Sequence, residues 1–284
     1  MSDTLSRISA SNPWLDAASS KIVAVVAPIL DHDKPAALRD LLYGTWLGHP
    51  LHPMLTDVSI GGWTMSMIFD LLGEEKASDI ALELGTLSAA GTALSGAAQW
   101  FDLQEMEEPK RLGALHALMN TAALGFYIAA IGLRRGDNRA AGIATAWAGH
   151  ALSTSSAYIG GHLSFALGIG VDREAFTEPA TDWTDAIAES ELTEGELTRT
   201  EVNGAAVMLL KQGTYIYATS AVCPHVGGPL DEGELNGTCV TCPWHFSEFD
   251  LTSGQVVHGP ATTPVTTYET RVSDGSIQVR AASA

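Results

Sequence analysis

The stretch CPHVGGPLDEGELNGTCVTCPWH, from Cys223 to His245, holds all three cysteines of this 284-residue chain and two of its nine histidines. Its ends carry two short elements, Cys223-x-His225 and Cys242-x-x-His245, which sixteen residues separate. Each element pairs a thiol with an imidazole, and both groups are metal ligands. Cysteines clustered in this way, in a chain that has so few, indicate a metal site rather than a disulfide framework.

Two kinds of metal site fit this ligand set. Two cysteines and two histidines could hold a tetrahedral zinc ion, but zinc fingers usually take like ligands from each knuckle. Here each element supplies one of each kind, which suits a two-iron, two-sulfide cluster with both thiolates on one iron and both imidazoles on the other. Such a cluster has no net charge when oxidised, so histidine ligation makes its one-electron reduction easier.

The sequence around both elements resembles the Rieske iron–sulfur domains, whose signature is Cys-x-His, a spacer and Cys-x-x-His. The resemblance covers about residues 183–282 and includes these supporting positions: Pro224, Gly228, Leu230, Gly233, Pro243, Phe249, Asp250, Gly254 and Pro260. It implies a small antiparallel β domain whose [2Fe–2S] cluster is bound by Cys223, His225, Cys242 and His245. Short strand patterns punctuated by glycines after Trp183 agree with such a domain.

Departures from the family pattern indicate the subtype. Gly228 and Trp244 occupy the positions where Rieske proteins of cytochrome bc complexes have an extra disulfide, so the resemblance is to the ferredoxin type of oxygenase systems. Phe246 replaces the glycine usual after the second histidine. Ser247 stands where high-potential members have a hydroxyl donor to a bridging sulfide, whereas Phe249 stands where they have tyrosine, which implies an intermediate potential.

Two residues near the signature have other expected roles. Cys239 is predicted to be a buried strand residue rather than a fifth ligand. His258 is predicted to lie at the surface or in a turn, because the set of four ligands is already complete.

The first half of the chain has a different composition. Four long segments are apolar and rich in small residues: Met54–Leu72, Ile80–Trp100, Leu112–Leu133 and Gly142–Ile159. Each approaches the ~20 residues that cross a bilayer core, although buried helices of a soluble bundle are the alternative. Stretches such as GHPLHPMLTDVSIGGW and YIGGHLSFALGIGVD resemble an uncharacterised family of small four-helix bacterial membrane proteins over about 43–172. No internal repeat is predicted in either half.

The sequence thus predicts a multidomain α and β protein, with a four-helix transmembrane bundle followed by a small antiparallel β Rieske domain. Its predicted parts are an N-terminal segment that could form an amphipathic helix, 1–42, the transmembrane domain, 43–171, a polar linker, 172–182, and the Rieske domain, 183–284.

Charge and the N-terminal sequence bear on partners and location. The formal net charge of -18 argues against a nucleic-acid partner, because nothing offsets phosphate charge. The expected partners are a lipid membrane and a redox protein, with the oligomeric state left open. Four crossings place both termini on one face, and the lack of a recognisable export signal favours the cytoplasm for that face. We therefore expect a multi-pass protein of the cell membrane with a cytoplasmic Rieske domain.

Ionisable side chains of the membrane half form a second candidate site. Four histidines and one aspartate are predicted to lie near one membrane face: His49, His52, Asp57, His116 and His162. Such groups could ligate a haem b, bind a quinone headgroup or hold a metal. The alternative is structural, in which they cap helices or donate to backbone carbonyls.

Two functions follow from these features. The first is a membrane-anchored Rieske protein that passes single electrons between a soluble donor and a membrane or oxygenase-like partner. The alternative is a redox-sensing Rieske domain that gates or regulates a transporter-like membrane module. The expected class is an electron-transfer (oxidoreductase) component rather than a self-contained enzyme, because Rieske oxygenases need a separate mononuclear iron domain.

Overall fold

The computed structural model describes residues 2–31 and 34–282, with side chains from Thr4 onward. The chain divides into two compact units. One is built from the chain up to residue 34 together with residues 50–169, and the other from residues 35–49 together with the chain from residue 170. Residues 35–49 therefore belong with the C-terminal unit, which the predicted boundary at 42/43 did not anticipate.

The first unit is helical. Its elements are α1 (Ser2–Ser11), α2 (Trp14–Leu30), α4 (Leu51–Leu72), α5 (Glu75–Phe101), α6 (Glu107–Arg135) and α7 (Arg139–Phe165), while α3 (Ala36–Tyr43) belongs to the second unit. All four apolar segments predicted from the sequence are helical. Glycines let α4 and α5 approach closely, since a Cβ on Gly62 would lie 2.8 Å from the Cα of Gly85.

The length and composition of the helices support only part of the membrane prediction. Among the residues that the structure describes, α6 is the helix long and apolar enough to cross a membrane. The bent pair Thr4–Ser11 and Trp14–Leu30, whose axes meet at 81°, would add a second if both pieces formed one span. Four crossings are therefore not confirmed, although the four helices are present.

A repeat with an offset of 64 residues relates α4–α5 to α6–α7, contrary to the sequence-based expectation. His52 Nδ1 donates to Thr92 O at 2.9 Å, and 64 residues later His116 Nδ1 donates to Ser156 O at 2.8 Å. Each imidazole also lies against an equivalent glycine of the partner helix, Gly96 and Gly160.

Equivalent positions of the two repeats also contact each other. The rings of Trp63 and Tyr127 stack with centroids 4.1 Å apart, and Arg134 forms a buried ion pair with Asp70 at 2.5 Å. A residue can touch its own equivalent only near the symmetry axis. A pseudo-two-fold axis therefore runs between α4 and α6, and these two pairs lie on it.

The second unit is an antiparallel β domain, as predicted. One sheet has the strand order β1-β10-β9-β4-β3-β2 and the other β5-β6-β7-β8. The strands are β1 (Thr184–Ala188), β2 (Leu197–Val202), β3 (Ala205–Gln212), β4 (Tyr215–Ser220), β5 (Glu234–Asn236), β6 (Cys239–Thr241), β7 (Glu248–Asp250), β8 (Val256–His258), β9 (Thr267–Ser273) and β10 (Ser276–Ala281).

Residues 172–182 are not a free linker, which corrects the predicted domain boundary. The amide of Arg173 donates to the carbonyl of Pro224 at 3.0 Å, and Ser220 donates to the carboxylate of Glu174. Further along, Ala281 N donates to Ala180 O at 2.7 Å. Because its polar groups are satisfied by the β domain, the segment packs onto that domain instead of running free.

Candidate metal centre

Two loops of the β domain carry the Cys/His elements. Cys223 and His225 follow β4, whereas Cys242 and His245 lie between β6 and β7. Each loop closes on its cysteine in the same way: Gly227 N donates to Cys223 O at 2.9 Å and Phe246 N to Cys242 O at 3.1 Å. The cysteine amides are also bonded across their loops, to Gly228 O and Ser247 O at 2.8 Å. Two similar tight loops thus present one thiol and one imidazole each.

The four side chains separate into two pairs. The thiols of Cys223 and Cys242 are buried, each residue being 1% exposed, and they are hydrogen-bonded to each other. The imidazoles of His225 and His245 are more exposed, with centroids 5.1 Å apart and planes at 90°. Within residues 2–31 and 34–282, no three His, Cys, Asp or Glu side chains gather around a single metal position. Two pairs of ligands suit two metal ions better than one tetrahedral ion.

Peptide dipoles around the thiols favour bound thiolates. The pKa of Cys242 is lowered to about 7 by the hydrogen bond from the Cys223 thiol and by the amides of Trp244 and His245. Its hydrogen bond to Cys242, together with burial, raises the pKa of Cys223. The loop therefore favours a thiolate at Cys242, and a cation between the sulfurs would stabilise the second.

Backbone constraints explain two positions of the signature. A Cβ on Gly228 would lie 2.7 Å from the sulfur of Cys242, so only glycine leaves room there. Phe246 has φ +63°, a left-handed conformation that glycine adopts without strain. The side chain of Phe246 is 48% exposed and that of Trp244 51% exposed, so two aromatic rings flank His245 at the surface.

Ser247 lies where the sequence analysis placed a hydroxyl donor. It is fully buried, accepts a hydrogen bond from Ala261 N at 2.9 Å, and is bonded to the Cys223 thiol. Phe249 is buried in β7, and its phenyl ring has no hydroxyl that could donate a hydrogen bond. Cys239 lies partly buried in β6, consistent with a strand residue, and burial raises its pKa.

His258 ends β8 with a side chain that is 43% exposed, in line with the expected surface position, and it has a partner there. Its Nδ1 donates to Asp40 Oδ2 at 2.8 Å, and the next amide, Gly259 N, donates to Asp40 Oδ1 at 2.9 Å. Sequence reasoning missed Asp40 because it lies 218 residues away on α3, outside any motif.

The structure brings two of the candidate histidines of the helical half near each other. His52 and His116 are repeat equivalents in the first unit and lie within electrostatic range of each other. His49 belongs to the second unit, and Asp57 is exposed on α4. His162 Nε2 is a buried nitrogen without a hydrogen-bond partner among the described residues. Of the five expected residues, the described interactions thus bring together His52 and His116, a pairing that the 64-residue spacing could have indicated.

Comparison with known proteins agrees with the geometry. Residues 182–269 match the family model of the Rieske [2Fe-2S] domain. Ferredoxin CarAc of Metapseudomonas resinovorans is 32% identical over 98 residues, which are 34% of this chain and 92% of that protein. The chain belongs to the Rieske family. Residues 48–173 match a second family, described as "Predicted membrane protein (DUF2231)".

Other Rieske relatives cover the same share of the chain. The ferredoxin component of the naphthalene 1,2-dioxygenase/salicylate 5-hydroxylase systems of a Ralstonia species is 28% identical over 99 residues, 35% of this chain and 95% of that protein. A solved ferredoxin of carbazole 1,9a-dioxygenase from Nocardioides aromaticivorans is 28% identical, with 35% of this chain and 98% of that chain covered and a TM-score of 0.34.

The residues present fit the cofactor of the Rieske family. Two buried thiols and two outer imidazoles on paired loops are the donor set for a [2Fe–2S] cluster with mixed ligation. Such a cluster carries one electron at a time, so the Rieske domain of this chain is an electron-transfer domain.

Proposed function

We propose that this protein is a membrane-anchored Rieske protein that passes single electrons between a soluble donor and a membrane or oxygenase-like partner. In this proposal Cys223 and Cys242 bind one iron, and His225 and His245 the other. The observation that carries it is the separation of a buried thiol pair from a half-buried imidazole pair. The cluster would be shielded from water on the thiolate side, while the imidazoles offer an edge for electron exchange.

Metal and sulfide analysis tests the ligand assignment. The purified protein is expected to contain about two irons and two labile sulfides. Cys242→Ser should lose both, whereas the matched variant Cys239→Ser should keep them, since Cys239 lies outside the thiol pair. Stoichiometric zinc without sulfide, or a colourless Cys239→Ser protein, would contradict the assignment.

The packing of α4–α7 supports a membrane location. Buried positions are mostly small residues, such as Ser59, Gly85, Ala89, Ala123, Gly149 and Ser156. Large apolar side chains point outward instead, among them Leu71, Leu72, Leu84, Leu87, Ile128 and Phe165. Small residues between helices and large apolar residues outside are typical of helices packed in lipid, whereas water would penalise so much exposed apolar surface.

Reporter fusions test the four crossings and the cytoplasmic site of the Rieske domain. Fusions in the three helix connections, after Gly73, Gln104 and Asp137, and at the C-terminus should alternate. The second and fourth should then both report the cytoplasm. A chain that stays soluble and monodisperse without detergent would overturn the membrane proposal.

The surface beside His245 favours a protein partner. Trp244 and Phe246 are half exposed next to the ligand, and aromatic residues of this kind are enriched at interfaces. The Ralstonia relative is the ferredoxin component of naphthalene 1,2-dioxygenase/salicylate 5-hydroxylase systems, which supports an oxygenase-like acceptor as one candidate. Trp244→Ala should slow electron delivery to a partner while leaving the reduction potential nearly unchanged.

A second redox site in the membrane half would involve His52 and His116. Each imidazole donates Nδ1–H to a carbonyl of the facing helix, which leaves Nε2 as the ligating atom. At His116 a ligand would replace the Asn120 amide, which donates to Nε2 at 3.0 Å. A ligand on the pseudo-two-fold axis must present the same chemistry twice, as the two axial positions of a haem b or the two hydroxyls of a quinol, which donate to Nε2, do.

Spectra and quinol reduction separate these ligands. Haem would give a Soret band that His116→Ala abolishes, and a quinone would give quinol-dependent cluster reduction that the same variant slows. If both signals are absent, the helical half is an anchor for the Rieske domain.

The repeat favours one further candidate function. Transporters are often built from repeats related by an axis along the membrane normal, so the Rieske domain could instead sense redox state and gate the helical half. Solute flux into vesicles that changes on reduction with dithionite, and not in Cys242→Ser, would support gating over electron transfer.

A further inference from the structure

Helix α3 and the short 3₁₀ turn that follows it, Thr45–Leu47, contact the β domain where β8 ends, at the loop of residues 258–261. We call residues 36–47 the clasp. Asp40 accepts two hydrogen bonds from this loop, one from His258 Nδ1 and one from Gly259 N, at 2.8 and 2.9 Å. The clasp lies outside residues 182–269, so it is an addition to the part of the chain that matches the Rieske family.

Close packing supports these hydrogen bonds. A Cβ on Gly259 would lie 2.6 Å from Thr45 Oγ1 and 3.3 Å from the ring of Tyr43. Tyr43 is only 2% exposed. The loop therefore approaches the clasp closely enough that one added methyl group would force them apart.

The same loop reaches the thiol pair from its other end. Ala261 is 2% exposed and packs in the apolar core that contains Cys223 and Cys242. Its amide donates to Ser247 Oγ at 2.9 Å, and the Ser247 hydroxyl is bonded to Cys223 Sγ. A chain of contacts thus runs from Asp40 through Gly259 and Ala261 to Ser247 and the thiol.

We propose that Asp40 is a positioning residue for the cluster: by holding the loop at Gly259, the clasp fixes the Ser247 hydroxyl on the Cys223 sulfur and so raises the reduction potential. This inference rests on the cluster assignment above. Reduction adds negative charge to the cluster, and a hydroxyl fixed on a ligand sulfur stabilises that charge. A loop released from the clasp would hold Ser247 less firmly, so the reduced form would lose stabilisation.

Potentiometric titration of the full-length protein in detergent, followed by paramagnetic resonance, tests the proposal. Asp40→Ala removes both acceptors and is expected to lower the equilibrium constant for reduction about tenfold, which is about 59 mV for one electron. Asp40→Asn keeps an acceptor for Gly259 N and should shift the potential less. Gly259→Ala separates loop and clasp from the other side and should shift it in the same direction as Asp40→Ala.

Glu191→Ala is the matched control, because it removes one exposed carboxylate of the same domain that is not part of the clasp. Iron and sulfide contents are measured in every variant. If Asp40→Ala and Gly259→Ala retain the cluster with wild-type potential, or shift no further than Glu191→Ala, the proposal is overturned. If Asp40→Ala fails to accumulate, Asp40→Asn and Gly259→Ala decide the question. A wild-type protein without iron and sulfide would instead overturn the cluster assignment itself.

Discussion

Phe246 carries backbone strain beside the ligand His245. Its φ of +63° lies in the left-handed region, which is unfavourable by about 1–2 kcal/mol for a residue with a Cβ. The ring is half exposed and so recovers little by burial. Phe246→Gly is therefore expected to raise the free energy of unfolding by about 1 kcal/mol and the thermal midpoint by roughly 4 °C.

Phe246→Ala is the control, since it removes the ring and keeps the strain. It should be no more stable than wild type when cluster absorbance is followed at a fixed heating rate. Equal midpoints for the glycine and alanine variants would mean that the loop relaxes and that no strain is stored there.

Chemistry made some residues predictable and others not. Cysteine and histidine at fixed short spacings were readable because a bound metal demands those types within one loop. Glycine is required at position 228 for a similar local reason, because a side chain there would meet the sulfur of Cys242. Asp40 was not readable, because an aspartate on a short helix looks like any solvent-exposed acid until the fold brings it to Gly259.

At the scale of elements, close helix contacts depend on single glycines. A Cβ on Gly85 would lie 2.9 Å from the carbonyl of Ser59 and 2.9 Å from the Trp63 ring. Gly85→Ala is expected to destabilise the α4–α5 pair by about 1–3 kcal/mol through overpacking. Gly125→Ala meets nothing within 4 Å and should be neutral or stabilising by up to about 1 kcal/mol. Unfolding in detergent that ranks the two variants the other way would contradict the packing.

The docking of α2 on α6 should depend on pH. Hydrogen bonds from Arg111 and Lys110 lower the pKa of Asp16 from 3.8 to about 2. A carboxyl with a lowered folded-state pKa stabilises the fold above its ordinary pKa, and this contribution is lost as pH falls through about 2. Protection of α2 amides against hydrogen exchange should therefore drop between pH 4 and pH 2. Asp16→Asn should show less protection at pH 4 and little further change.

Element types were easier to predict than element relations. Long apolar segments and short glycine-bounded strands have clear periodic signals, and both were found as expected. The repeat was missed because apolar residues interchange freely inside helices. Its signal is confined to a few positions with steric or polar roles, such as His52, Trp63 and Gly96 against His116, Tyr127 and Gly160.

At the scale of the molecule, charge is concentrated in the Rieske half. Residues 174–284 hold 16 acidic and 4 basic residues, a formal net charge of -12 within the -18 of the whole chain. The basic side chains of the helical half, in contrast, are largely paired, as Arg134 and Arg139 are with Asp70 and Asp79. An acidic domain attracts cationic surfaces over roughly the Debye length, about 10 Å at 0.1 M salt.

Small redox probes of opposite charge can measure this field without knowledge of the natural partner. The dithionite-reduced protein, freed of excess reductant, is mixed with hexaamminecobalt(III) or with ferricyanide, each of which accepts one electron. The rate constant with the cation should fall as ionic strength rises from about 10 mM to 0.15 M, because salt screens attraction, whereas the rate constant with the anion should rise. Rates that ignore salt, or that change in the same direction for both oxidants, would show that the imidazole edge lies outside the acidic field. A natural partner would then need no basic docking surface.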